Sequence, residues 1–584
     1  MFGPRKLLQI LTVTCALVSV TAAAQNAPPT TGEDLQRVSE IAGQPGGQIV
    51  VALRAEPKTL NPVVAADNPS KTVIWRMMAD LVHINRASQK TEPAVAKSWT
   101  VSRDGLHYTL KLRRGLKFSD GQPADADDVV FSFHVYMDEA IHAPQRDLLT
   151  IGGRPITVRK VDAQTVMFDL SKPYGAAERL FDGFAILPRH LLEQPYRDGK
   201  LLQAWNLGAD PKMYAGLGPF RLREYVPGER IVLEKSPYYW KDDSRGTRLP
   251  YLDRITFVFV PSDDAQILRF QNGDTDLVDR LSAEDFSTLQ RSGASRKYEL
   301  ADAGPSLEYN FLFFNLNDLN AKSLSAISAK QTYFRQTAFR QAVSLAVDRD
   351  AIVRLVYQGK GVPLWNQLAS TNKLWGDPEL PKPQHSVGSA KQLLGNAGFS
   401  WNASGDLLDA EHNKVSFTII TSSTSAARVK MATLLQDDLR QIGIDARVVT
   451  LEFRAVLDRV LNSHDYEACV MGLSSGDADP NADLNVWLSD GSTHLWDMGE
   501  PKPATTWEAE IDKLMNQQMT TLSPVERRKL YYRVQEIVAQ YRPLIFLASP
   551  DVLVGAKANL GNFQPAVLDD HILWNADYLY WRRN

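Results

Sequence analysis

Apolar and polar residues alternate with period two along "LHYTLKL", residues 106–112, which predicts a strand with one buried face. The earlier run "QIVVALRAEPKTLNP" reads as a strand that ends by Pro57. Two Asp-Gly pairs, Asp104-Gly105 and Asp120-Gly121, punctuate the strands around them. After the second pair the period lengthens: Val129, Phe133 and Tyr136 share one helical face, and Asp125 can cap that helix. Strand spacing returns from "GPFRLREYVPGERIVLEKSPYYW" to "RITFVFVP", with Pro227-Gly228 as a turn. Two helices follow, one with Phe339, Val343 and Ala346 as its stripe. The other is capped by Asp348, carries Ile352, Val353 and Val356, and stops at Gly359. Further on, "KVSFTIITS", a helix with Met431, Leu435, Leu439 and Ile442 on one side, Gly443, and "IDARVVTLE" spell a β-α-β unit with parallel strands. The pattern is that of an α/β protein.

The first residues fall outside this grammar. Arg5 and Lys6, an apolar run from Leu7 to Val20 and small residues Ala22 to Ala24 form a secretory signal peptide, residues 1–24. Residues 25–45 read as a mostly unstructured leader, rich in Pro, Gly, Thr and Ala. A soluble, exported, periplasmic protein is expected. Cleavage leaves Cys469 as the single cysteine, so a large hydrophobic core must hold the fold without an intrachain disulfide. With 584 residues the chain should contain more than one domain, and a net charge of -3 gives no electrostatic reason to expect nucleic acid. The 12 Trp, 22 Phe and 19 Tyr are mostly core material, with a handful left for a cleft.

One stretch, "YEACVMGLSSGDADPNADLNVW" at Tyr466–Trp487, has three chemical readings. Gly472, Ser474 and Gly476 spell the nucleophile elbow of a secreted serine hydrolase, with His494 and His571 downstream. A helix starting at Ser474 would, however, carry Pro480 in its second turn, at a cost of ~3 kcal/mol. Asp477, Asp479, Asn481 and Asp483 alternate like a calcium loop, but Ala482 replaces the turn glycine and Leu488 the closing Glu. A solvated Asx-rich turn between a strand and a helix is the third reading.

The block "SWTVSRDGLHYTLKLRRGLKFSDGQPADADDVVFSF" resembles the signature of the family 5 solute-binding proteins of ABC importers. The resemblance continues through "GLGPFRLREYVPGERIVLEKSPYYW", "AFRQAVSLAVDRDAIV", "LLQDDLRQIGIDARVV" and "LDDHILWNADYLYW". It implies a two-lobe α/β fold of the Venus flytrap type, with an extra domain inserted in the first lobe. Mapped onto this chain, lobe one would comprise residues 46–86, 216–302 and 544–584, the insertion 87–215 and lobe two 303–543. Hinges would lie near Ala303 and Pro543. The implied activity is capture without catalysis: a short peptide or similar solute is held between the lobes and passed to a membrane permease by a monomer without a cofactor. Saccharide, opine, nickel and haem are the family's other cargoes. The Asp that holds a peptide's α-amino group in relatives matches Asp477 or Asp479, and Asn481 lies on the same loop. The interval to Pro480 is one residue short, and Ser474 stands where peptide binders carry Trp. Trp75, Trp365, Trp487 and Trp574 are candidate cleft aromatics. His464 and His494 are the candidates for nickel, with exposed polar surface as the alternative.

Overall fold

The computed structural model describes residues 32–40, 42–291, 297–319, 324–500 and 502–583. The signal peptide lies outside them. Among the described residues no helix is long and apolar enough to cross a membrane.

Three sheets of four or more strands organise the described residues. The largest runs Phe220–Val226, Arg230–Lys235, Arg254–Phe259, Gln48–Leu53, Leu277–Val278, Ala548–Lys557, Tyr298–Pro305, and Gly361–Pro363 adds to its Ala548–Lys557 strand. The second has the order Asp445–Leu451, Ser416–Ser422, Ala468–Ser474, Glu308–Phe314, Leu544–Phe546. The third, Ala96–Val101, His107–Leu112, Thr165–Asp169, Thr157–Asp162, is antiparallel throughout.

Local chemistry accounts for these elements. Asp125 and Asp128 form a capping box at the start of helix Ala126–Met137, satisfying two otherwise orphaned N–H groups. The Asp348 carboxylate accepts from Ala351 N at 2.8 Å and starts Arg349–Val356. Met431, Leu435, Leu439 and Ile442 are all fully buried, so helix Ala426–Gln441 lies on the parallel pair Ser416–Ser422 and Asp445–Leu451. One core joins the first and third sheets, and another fills the body around the second.

The chain passes between these two bodies at adjacent points. Tyr298–Pro305 belongs to the first sheet and Glu308–Phe314 to the second; Leu544–Phe546 and Ala548–Lys557 divide the same way. Ser306 N donates to Pro550 O at 2.9 Å, and Ser549 Oγ donates to Ser306 O at 3.1 Å, so the two connections are bonded side by side. They sit slightly beyond Ala303 and Pro543 because the ladders persist to Pro305↔Asp551 and Phe311↔Phe546. Leu307 packs there with Ile84 and Leu568.

The segment read as an unstructured leader departs from that expectation. Gln36–Arg37 pairs in parallel with Lys241–Asp242, Val38 is buried, and Asp34 and Glu33 form ion pairs with Lys97 and Arg248. Strand pairing and burial of one valine outweigh a turn-rich composition.

Candidate ligand-binding site

Strand Ala468–Ser474 pairs with Glu308–Phe314 along its whole length, and its first four residues are buried. Beyond Ser474 the chain leaves the sheet. Ser474 is exposed and no helix begins at it; the next helical turn is Pro480–Asp483, a 3-10 turn with Pro480 at its start, where a missing N–H costs nothing. Asp479 caps that turn by accepting from Asn481 N at 3.0 Å. The elbow geometry is therefore absent, and His494 and His571 direct Nδ1 at the Val486 and Ala566 carbonyls. The loop is the Asx-rich turn of the third reading, although its acids are far from solvated.

Each acid has a different partner. Asp477 is gripped by Arg179 through a bidentate ion pair, and Arg179 comes from the turn Ala177–Phe181 beside the third sheet. Burial alone would lower the Arg179 guanidinium; the Asp477 carboxylate more than offsets this and holds it above its ordinary value. Arg179 Nη1 also donates to Gln89 O at 3.0 Å. Asp479 is paired with Arg527 at 2.9 and 2.8 Å, with both side chains almost wholly buried. Asn481 Oδ1 accepts from Gln518 Nε2 at 2.6 Å. Asp483 is buried and accepts from Ser475 Oγ at 2.9 and 2.8 Å.

The same region ties the bodies together through backbone. Gly175 N donates to Met519 O at 2.7 Å, and Arg527 Nη1 donates to Gly175 O at 3.2 Å. A Cβ on Gly175 would lie 2.3 Å from Thr521 O, so only glycine permits this approach. Burial beside Asp479 pushes the Tyr174 phenol up to about 12, which keeps it a neutral hydrogen-bonding group.

Close by, Asp182 ends the turn that carries Arg179 and accepts from Arg86 at 3.1 Å and from Ile84 N at 2.8 Å. Asp80 accepts from Gly183 N at 3.0 Å, and burial together with the Asp182 charge pushes its carboxyl up. Arg86 and Asp80 border a cavity of about 100 Å³ that also meets Trp75 and Trp574. Two of the four candidate tryptophans thus share one polar wall. Trp365 lies elsewhere, over Arg349 at 5.9 Å, with its Nε1 on Pro383 O. Trp487 is 1% exposed and packs against Trp496 in the second core, so it presents no face to a cleft. His494 is also fully buried, which corrects the exposed reading, because it packs 3.9 Å from Trp496. His464 is partly exposed on a separate cavity.

Sequence reading missed Arg179, Gly175 and Arg527. The first lies 298 positions from its partner, and nothing local in "KPYGAAERLF" marks it.

Residues 90–494 match the family described as bacterial extracellular solute-binding proteins, family 5 Middle. A probable ABC transporter-binding protein of Deinococcus radiodurans is 27% identical, covering 85% of each chain. The oligopeptide-binding protein AppA of Bacillus subtilis is 26% identical over 90% of each. Heme-binding protein A of Haemophilus influenzae is 28% identical over 80% of each. The solved structure of Bacillus subtilis AppA in complex with a nonapeptide has a TM-score of 0.68 at 25% identity, covering 93% of this chain and 100% of that one. The substrate-binding protein CtaP of Listeria monocytogenes has a TM-score of 0.75 at 23% identity, covering 92% and 100%.

Proposed function

From the premise that the chain belongs to the bacterial extracellular solute-binding proteins of family 5, we propose that it is the periplasmic receptor of an ABC importer and that its cargo is a short peptide. The carrying observation is the Arg179–Asp477 pair, which joins the second body to the inserted segment. It offers one acceptor and one donor, matched to a peptide's ammonium and carboxylate, and a zwitterion can take both by exchange. The similarity to AppA supports the peptide class. Asp479 is the weaker anchor, since Arg527 holds it inside one body with almost no exposure.

Cargo that touches both bodies favours their closed arrangement, because only differential affinity shifts that equilibrium. No bond is made or broken. The cavity of about 100 Å³ falls short of the 300–1,000 Å³ usual for ligand pockets and is lined by residues of the first body alone, so by itself it does not hold an oligopeptide. Trp75 and Trp574 on that cavity support a saccharide as the second reading.

A thermal-shift screen of di- to pentapeptides against oligosaccharides tests the cargo class. Peptides at 100 times Kd should stabilise by about 2.7 kcal/mol. Asp477→Asn should weaken a free-amine peptide by roughly 30- to 1,000-fold, and an N-acetylated peptide much less. Stabilisation by oligosaccharides alone would replace the peptide reading, and equal weakening of both peptides would remove Asp477 as the amine anchor.

A further inference from the structure

The second core contains a cluster that the proposed cleft does not use. His494, Glu500 and Glu508 are 0%, 8% and 2% exposed, and one ligating atom from each lies within 4.8 Å of the others. His494 Nδ1 faces Val486 O at 3.1 Å. A ring nitrogen facing a carbonyl carries the hydrogen, so the neutral ring has its lone pair on Nε2. That Nε2 has no hydrogen-bond partner: Glu508 Oε1 is nearest among the acids, at 3.8 Å. Glu500 Oε2 accepts from Ala504 N at 3.0 Å, whereas its Oε1 is buried and meets no N–H donor; the Asp497 carboxyl lies beside this group, and burial together with Glu500 pushes it up to about 9. Glu508 is oriented by Trp496 Nε1 on Oε1 at 3.0 Å and by Thr505 on Oε2 at 2.7 Å.

Two polar atoms without an N–H partner therefore converge in a buried cluster, where such atoms are costly. Among the described residues no Lys or Arg lies within ion-pairing distance of Glu500 or Glu508. We infer that His494 Nε2, Glu500 Oε1 and a Glu508 oxygen form a resident site for one first-row divalent cation of the zinc class. Bonds of about 2.0–2.2 Å to such an ion would set its ligands roughly 3.4 Å apart, near the present His494–Glu508 spacing. One imidazole with two carboxylates suits zinc better than calcium or magnesium, which take oxygen throughout. Two carboxylates neutralise the dication. Val486 O on His494 and Trp496 on Glu508 supply the outer bonds that orient metal ligands. A neighbouring cavity of about 470 Å³, bordered by Glu500, Asp497 and His464, gives the ion a route and a water its place. The ion would pin the turn at His494 and Glu500 to the first turn of helix Thr506–Thr520, as a fixture of the lobe and not as cargo. The competing occupant is a proton held between the Asp497 and Glu500 carboxyls.

The test is zinc titration of the full chain, stripped with a chelator, followed by calorimetry and thermal melting. Wild type should bind one equivalent and melt higher with zinc. Glu500→Gln and His494→Gln should each weaken binding about 100-fold or more and lose the zinc-dependent rise. His83→Gln, in the separate Asp80–His83–Asp182 cluster, should bind as wild type does. No binding by wild type, or undiminished binding by both glutamine variants, would overturn the site; so would loss in His83→Gln alone. Should both variants fail to fold, cobalt-substituted wild type decides: visible bands of nitrogen and oxygen ligation support the site, and the spectrum of aqueous cobalt overturns it.

Discussion

Asp483 shows what burial does to one carboxyl on the candidate loop. Its pKa is pushed up to about 6 by burial, against the pull of the Ser475 hydrogen bonds. The raised value means the fold favours the protonated acid. Below the ordinary carboxylate value both folded and unfolded chains hold the proton and nothing is lost. As pH rises from about 4 to about 6 the unfolded chain gives up its proton first, and above that range the fold has lost up to about 3 kcal/mol. Asp483→Asn keeps an acceptor for Ser475 and should raise stability by up to about that amount near pH 8, with little change near pH 4. Urea melts at the two pH values check this, and an equal effect at both would contradict it. At this scale the sequence was half legible: "DADPNAD" announces an acid-rich turn, but whether each acid meets water, serine or arginine depends on chain far away.

The loop and the helix beneath it depend on each other through Asp479 and Arg527, whose side chains are 6% and 3% exposed. Removing one partner from such a buried pair leaves an uncompensated charge and costs about 3–5 kcal/mol, against under about 1 for an exposed pair. Arg527→Met should therefore lower the urea midpoint sharply, and adding Asp479→Asn should recover part of the loss; a single-variant cost near zero would contradict the buried pairing. Elements themselves were the most legible level. Asp125 and Asp348 cap where their positions suggested, and the β-α-β unit from Ser416 to Leu451 is parallel as its spacing required. The Gln36–Arg37 strand was not, because two residues have no period and only their partner strand reveals them.

Whole-molecule behaviour rests on how the bodies meet. Gly175 lets the inserted segment reach Met519 and Arg527, and a methyl group there collides with Thr521 O. Gly175→Ala should bias the chain toward separated lobes, seen as a larger radius of gyration in small-angle scattering and weaker cargo binding with unchanged secondary structure; an unchanged radius would contradict this role. The two-lobe plan was readable because resemblance extends through most of the chain, whereas the contacts that close it were not, since Gly175 and Arg179 lie hundreds of positions from Met519 and Asp477. The central claim, capture of peptide without turnover, is tested most directly by native mass spectrometry of the purified protein incubated with a peptide mixture and then denatured. The account predicts one intact short peptide released per chain. Release of a cleaved peptide, or retention of only a saccharide or a metal chelate, would contradict it.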